Sequence, residues 1–220
     1  GAGLGRAAGR GAAAGAEEGL LLSPLELDPL PDTFFSRNTR EVARGLLGCY
    51  LRSSVGGVQV VGRIVETEAY VGSHDPASHA AASVGRTLRN ASMFGPPGHA
   101  YVYRSYGIHW CLNVVTEPKG FPAAVLLRAL EPVVGTREMT RRRGGKLPLC
   151  RGPGRLSQAL GITGDLDGHC FSEEPVILSG CRPLDDSLIG TSGRIGIRSA
   201  AHWPLRFFLR GHPDVSASPR

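Results

Sequence analysis

Lysine is almost missing from this chain. Lys119 and Lys146 are the only lysines among 25 basic residues, and each stands beside a glycine rather than among apolar neighbours that would lower its pKa. Schiff-base chemistry therefore has no favourable amine to start from. Cysteine is equally uninformative. Cys49, Cys111, Cys150, Cys170 and Cys181 are odd in number and scattered, with no close pair of the kind that zinc and redox sites use. They read as free thiols. No run approaches the roughly 18 apolar residues that span a bilayer, and the first residues lack a basic-then-apolar leader pattern. The expectation is a soluble, intracellular protein with no membrane partner: cytoplasmic and nucleoid-associated in a bacterium, nuclear in a eukaryote. No nucleophile elbow is present. Glu66, Glu68, His74 and His79 are close in sequence but match no metal-ligand spacing, so no metal is expected.

Arginine, glycine and alanine are what the chain has in quantity. The formal charge of +6 and pI near 9.4 are built almost wholly on arginine, whose planar fork suits bidentate phosphate contacts. A polyanionic partner is one reading. A GC-rich genome, which raises Arg, Gly and Ala together and fits the 31 glycines, is the other.

With 41% hydrophobic content in 220 residues, the chain can bury one substantial core but not two large ones. The Gly/Ala/Arg-rich start has no apolar periodicity and reads as a disordered tail over residues 1–29, before a folded domain over 30–212 and a flexible tail over 213–220. A first helix is expected after Asn38 or Thr39, burying Val42, Ala43, Leu46 and Leu47 and closed by Gly48. Residues 58–70 read as a strand on which Val58, Val60, Ile64, Glu66, Glu68 and Tyr70 share one face. A long loop over 71–98 comes next, then a hairpin of 101–103 and 108–115 around Arg104-Ser105-Tyr106-Gly107. Residues 123–130 form a buried strand that carries Arg128 and stops at Pro132. Helices are expected at 136–143 and 154–160, and short strands at 176–178, 194–198 and 205–209. This irregular mixture without a repeat predicts an α+β fold, a single compact mixed domain with a twisted, mostly antiparallel sheet and a protruding hairpin.

Glu68 is the sharpest anomaly, because a carboxylate on the buried side of a strand is costly unless it is paired or used. Two readings fit it: a general base over a pocket, or a structural carboxylate paired with Arg63 or Arg128. Glu66 is either its partner in a two-carboxylate site or one more ion-pair member. Four of the five tyrosines, Tyr70, Tyr101, Tyr103 and Tyr106, fall within a segment that also holds His74, His79, Arg86 and Arg89. Aromatics among cations suit base stacking beside phosphate contacts, although Tyr101 and Tyr103 are equally readable as core residues. Tyr106 gains little burial at a turn beside Gly107, yet is placed to wedge into a base stack. The run Arg141-Arg142-Arg143 reads equally as a DNA contact and as a solvated helix end.

Six ordered segments carry a resemblance. Arg63-Ile64-Val65-Glu66-Thr67-Glu68-Ala69-Tyr70, Met93-Phe94 with Pro97-Gly98, Tyr101-Val102-Tyr103, Tyr106-Gly107, Cys111-Leu112-Asn113 and Leu126-Leu127-Arg128-Ala129-Leu130-Glu131-Pro132 resemble the alkyladenine (3-methyladenine) DNA glycosylases. The likeness runs over about residues 34–210 and is densest over 63–132. It implies a hairpin that enters the minor groove, no metal or organic cofactor, and a monomer acting on double-stranded DNA that contains damaged purines. It also implies a monofunctional base-excision-repair enzyme without lyase activity, which flips 3-methyladenine, 7-methylguanine, hypoxanthine or ethenoadenine from the duplex and hydrolyses the N-glycosidic bond. In the roles carried over, Glu68 deprotonates the attacking water and Arg128 helps hold it. Tyr70, His79 and Tyr103 enclose the flipped base, Asn113 crowds the exocyclic amine of a normal guanine, Tyr106 fills the vacated stack, and Arg86, Thr87 and Arg89 meet the DNA backbone. Leu88 stands where the family pattern suggests proline, and 79–90 and 144–151 depart from it in length or composition. From the residues alone, two other functions stay open: a non-catalytic binder of distorted DNA, and a hydrolase of free nucleosides.

Overall fold

The computed structural model describes residues 23–24, 26–79, 85–180 and 183–216. Most of the expected N-terminal tail, Cys181 and the last four residues of the expected C-terminal tail lie outside the described residues, as do residues 80–84 of the long loop. The helices are α1 (Asp32–Phe35), α2 (Thr39–Gly45), α3 (Thr136–Arg142) and α4 (Pro153–Leu160). The strands are β1 (Tyr50–Ser53), β2 (Val60–Tyr70), β3 (Ala100–Ser105), β4 (His109–Thr116), β5 (Ala123–Val134), β6 (Val176–Ser179), β7 (Ile189–Ser192) and β8 (Arg206–Leu209).

The strands join in one sheet in the order β3-β4-β5-β2-β1-β6, with β8 also on β2 and β7 on β8, and every paired neighbour is antiparallel. The fold is thus α+β, a single curled antiparallel sheet with a few helices. Its branch point is β2. One edge of β2 pairs with β5, while the other pairs first with β1 over Val60–Arg63 and then with β8 over Glu66–Glu68. Serving two partners on one edge requires a bend, and the register supplies it. Ile64 faces Leu130 and Glu66 faces Ala129, so Val65 is an extra residue on β2. Thr67 then faces Leu127, so Arg128 is an extra residue on β5. Bulges of this kind bend a strand and re-aim its side chains.

The same irregularities correct three expectations. Pro132 does not stop β5, which runs on to Val134. It pairs with Gly62 beside a further register shift, and a bulge is where a strand tolerates a residue without an N–H. β2 begins at Val60, and Val58 before it is 45% exposed. β2 also has no single apolar face, being buried on both sides from Ile64 to Ala69, because the bulge at Val65 breaks the strict alternation. Two strand assignments change as well. β1 was not expected, being only four residues long. The strand expected at 194–198 lies instead at Ile189–Ser192, and Gly196, with φ of +75°, turns the later segment.

Alternation divides the rest of the sheet into two faces. Ala100, Val102, Leu112, Val114, Val125, Leu127 and Ala129 join the main core with Val42 and Ala43 of α2, Leu46 and Leu47 of the turn that follows it, Met139 of α3 and Leu156, Ala159 and Leu160 of α4; α2 thus ends at Gly45, short of the expected Gly48. Thr67 faces this side, its hydroxyl donating to the Ala43 carbonyl at 2.8 Å. On the opposite face a smaller cluster forms from Met93, Tyr101, Val115 and Ala124, with Tyr70, Phe94 and Tyr103 against it. The Asn38 side chain caps α2, accepting the Arg40 N–H at 3.0 Å, as expected. Of the arginines that end α3, Arg142 is tucked into the fold, while Arg141 stays mostly exposed. Arg141 and Arg142 both hold Glu138 at 2.6–2.8 Å, and Arg142 also donates to the Val55 carbonyl at 2.6 Å.

Candidate active site

The smaller face of the sheet is the wall of a cavity of about 440 Å³, a volume in the range of small-ligand sites. Alternate residues project into it: Tyr101 and Tyr103 from β3, Cys111 and Asn113 from β4, and Leu126 and Arg128 from β5. Tyr70 at the end of β2, Met93, His79 and residues 195–197 also line it. The Tyr101 and Tyr103 rings stack at 5.4 Å and 29°, and the His79 ring meets Tyr103 edge-on at 4.6 Å. His79 Nδ1 also lies 3.3 Å from the Tyr101 hydroxyl. The Asn113 amide is fixed by donating to the Tyr101 carbonyl across the β3–β4 pair at 3.0 Å.

Burial keeps the phenols of this wall protonated. It pushes Tyr101 up to about 12 and raises Tyr70 and Tyr103 well above the usual phenol range, with negative neighbours adding to the rise. His79 has an outer edge open to solvent, yet desolvation first and the Arg89 guanidinium second lower its pKa, favouring the neutral ring. The cavity thus offers neutral aromatic faces.

Glu68 lies in the wall beneath them with no exposed surface. Its Oε1 accepts the Ile195 N–H at 2.7 Å and lies 3.4 Å from Arg128 Nη1, while its Oε2 accepts the Tyr70 hydroxyl at 3.1 Å. Burial pushes its pKa up. Arg128, the Ile195 N–H and the Tyr70 hydroxyl pull against that rise, Glu66 adds to it, and the net direction is upward. A carboxylate so placed is held ionised by directed donors, yet has a raised affinity for a proton. All three partners line the cavity.

Glu66 is equally buried but saturated. Its Oε1 accepts Arg128 Nε at 3.1 Å, Arg206 Nε at 2.7 Å and the Ser216 hydroxyl at 2.7 Å, and its Oε2 accepts the Ser216 N–H at 2.7 Å. Pro213–Ser216, at the start of the expected C-terminal tail, are docked by these bonds and by Val215, which packs against the core. Ser216→Ala removes one donor from a buried carboxylate and is expected to lower the unfolding free energy by about 1.5 kcal/mol. A urea titration measures it, and an unchanged midpoint contradicts the role given to Ser216.

Residues 33–213 match the family model of methylpurine-DNA glycosylase. The chain belongs to this family. Its relatives include proteins from Methanoculleus marisnigri (50% identical over 192 residues, 85% of this chain and 98% of that protein), Nitrosospira multiformis (50% over 188 residues, 84% and 93%) and Agrobacterium fabrum (50% over 189 residues, 85% and 92%). Each carries the provisional name 3-methyladenine DNA glycosylase.

In this methylpurine-DNA glycosylase family member, most residues singled out from the sequence converge. Tyr70, His79, Tyr103, Asn113 and Arg128 line one cavity with Arg89 and Tyr106, and Glu68 sits directly behind it. Tyr106 is at the tip of the β3–β4 pair with φ of +50°, uncommon for a residue with a side chain, and is 89% exposed. Arg86 and Thr87 do not line the cavity. They belong to the adjoining turn, where Thr87 and Asn90 exchange hydrogen bonds and Arg89 donates to the Arg104 carbonyl at 3.0 Å. Sequence reasoning left Tyr101 undecided, and its shared parity with Tyr103 is the signal that places it here. It missed Ile195, which acts through its backbone and has no side-chain signature, and it missed Asp75, Arg194 and Arg206. Among the described residues, no three His, Cys, Asp or Glu side chains are grouped so as to hold a metal ion.

Proposed function

We propose that this chain is a monofunctional DNA glycosylase of base excision repair, which takes a damaged purine out of duplex DNA into the aromatic cavity and hydrolyses its N-glycosidic bond. The observation that carries this reading is Glu68: a buried carboxylate of raised pKa, with a donor on each oxygen, behind a cavity of stacked tyrosines. Glu68 accepts a proton from water as the water oxygen bonds to the anomeric carbon, and the base departs with the electrons of the broken C–N bond. Free base and an abasic sugar result. Arg128, shared between Glu66 and Glu68, keeps the carboxylate ionised before the attack and helps hold the water.

Purines alkylated at a ring nitrogen, such as 3-methyladenine and 7-methylguanine, carry positive charge. The faces of Tyr70 and Tyr103 attract that charge, and the weakened bond needs little help to break. Hypoxanthine and ethenoadenine fit the same flat space. Asn113 crowds the exocyclic amine of a normal guanine. Tyr106 fills the gap left in the stack, and Arg86, Thr87 and Arg89 meet the phosphates, so binding weakens steeply with salt. With no amine at the site, no Schiff base forms and the strand is left uncut.

The test is a duplex containing one hypoxanthine beside free inosine. Release from the duplex alone supports the proposal; release from inosine supports a nucleoside hydrolase; tight binding without release from any lesion supports a non-catalytic binder. The pH dependence has a definite sign. Glu68 must be ionised to act, so the rate falls as pH falls through its pKa, and because burial raises that pKa the acidic limb lies above the ordinary glutamate range. A single-turnover pH profile that stays flat down to the ordinary range contradicts this assignment.

A further inference from the structure

Two of the three groups that hold Glu68, the Ile195 N–H and the Tyr70 hydroxyl, lead back to one cation. Arg194, itself buried, directly precedes Ile195 in a stretch that belongs to no strand. Its Nη1 donates to Asp75 Oδ2 at 2.5 Å and to the Ala69 carbonyl at 3.0 Å, and its Nη2 donates to Asp75 Oδ1 at 2.8 Å. Its Cζ lies 4.7 Å from the centre of the Tyr70 ring. Asp75 has no exposed surface and also accepts the Val71 and Ala77 N–H groups at 3.2 and 3.0 Å. One guanidinium therefore ties the segment carrying the Ile195 N–H to the end of β2, and rests on the ring whose hydroxyl holds the other carboxylate oxygen. A buried ion pair is weak evidence of a purely stabilising role, because desolvation offsets much of its attraction. Here its geometry has a more specific consequence.

We propose that Arg194, gripped by Asp75, is a positioning residue for Glu68: it places the Ile195 N–H and the Tyr70 hydroxyl on the two carboxylate oxygens, and so sets the direction of the carboxylate and keeps it ionised. This rests on the reading of Glu68 as the base. Arg194 touches no reacting atom. The titratable and charged groups around Glu68 are Glu66 and Tyr70 of β2, Arg128 of β5, Tyr103 of β3 and Cys111 of β4, while Arg206, its register partner on β8, is engaged by Glu66. Of these, only Tyr70 touches Arg194, through its ring, so replacing Arg194 acts on Glu68 through Tyr70 and the Ile195 N–H. Loosening the two donors therefore favours the protonated carboxylate and moves the acidic limb of the rate profile to higher pH.

The experiment compares wild type, Arg194→Met, Asp75→Asn and Glu68→Gln in single-turnover base release from a hypoxanthine duplex across pH, with duplex affinity and thermal midpoint measured on the same samples. A misplaced catalytic group costs about 10- to 100-fold. The folded Arg194→Met protein is expected to show a loss of that size with lesion affinity within a few-fold, an upward shift of the acidic limb, and little further loss when combined with Glu68→Gln. Asp75→Asn, which keeps the shape of the grip, is expected to move the limb the same way by less. A folded Arg194→Met enzyme with the wild-type rate and limb overturns the proposal, as does failure of both variants to fold, which makes the pair structural only. If Glu68→Gln still releases base, the reading of Glu68 fails instead.

Discussion

Replacing Glu68 by glutamine is expected to lower single-turnover base release by about 10²- to 10⁴-fold, the usual contribution of a general base, while lesion-duplex affinity stays within a few-fold. Glutamine keeps the shape of the side chain and an acceptor for the Ile195 N–H, so the cavity wall stays in place. It removes a buried charge whose desolvation outweighs the help of its partners, as the raised pKa records. The variant is therefore expected to melt no lower than the wild type. Activity and stability move apart at this position, as expected where a fold gives up stability to hold a reactive group. Retained excision, measured by chromatography of released base, removes Glu68 from the mechanism. A large fall in melting temperature makes it a structural carboxylate.

Arg128→Leu is expected to have the opposite profile, a large loss of stability together with activity. Arg128 is 8% exposed and lies between two carboxylates with no exposed surface. Removing one member of such a buried group leaves uncompensated charge and costs about 3–5 kcal/mol, readable in a urea titration. Glu66 keeps Arg206 and Ser216, whereas Glu68 loses its only cation within ion-pair distance among the described residues. The remaining folded enzyme should therefore carry its acidic limb at higher pH. Adding Glu68→Gln to Arg128→Leu should return part of the lost stability, because it removes the carboxylate left without a cation. A stability change below about 1 kcal/mol, the scale of a surface pair, contradicts this account of the triad.

The elements that position the site were mostly legible because they obey local rules. Asn38 caps α2, Pro153 opens α4, and the apolar stretches of β2, β4 and β5 carry strand-forming residues. What stayed hidden was set by pairing between distant segments. The extra residues Val65 and Arg128 follow from β2 serving both β1 and β8, and no pattern within residues 58–70 reports where β8 will dock. The same holds for Ile195. Glu68 was conspicuous because a carboxylate among valines defies burial, and Tyr106 because a tyrosine at a turn gains so little. The Ile195 contribution is a backbone N–H that any residue except proline supplies. Ser216 and Arg206 were silent for a related reason, since their significance depends on Glu66, from which they are separated by 150 and 140 positions.

The two faces of the sheet also explain why Tyr101 was ambiguous. It is both a core residue, 2% exposed, and a cavity residue, stacked on Tyr103. Burial and function coincide when the binding surface is a dent in the core rather than a patch on the outside.

The most direct test of the central claim is the product of wild-type enzyme acting on methylated duplex DNA, read in two ways on one sample: chromatography for free bases, and strand integrity with and without alkali. The account predicts free 3-methyladenine and 7-methylguanine, with strands that break only after alkali. No free base at an excess of enzyme, or strand breakage without alkali accompanied by a borohydride-trapped protein–DNA adduct, contradicts it.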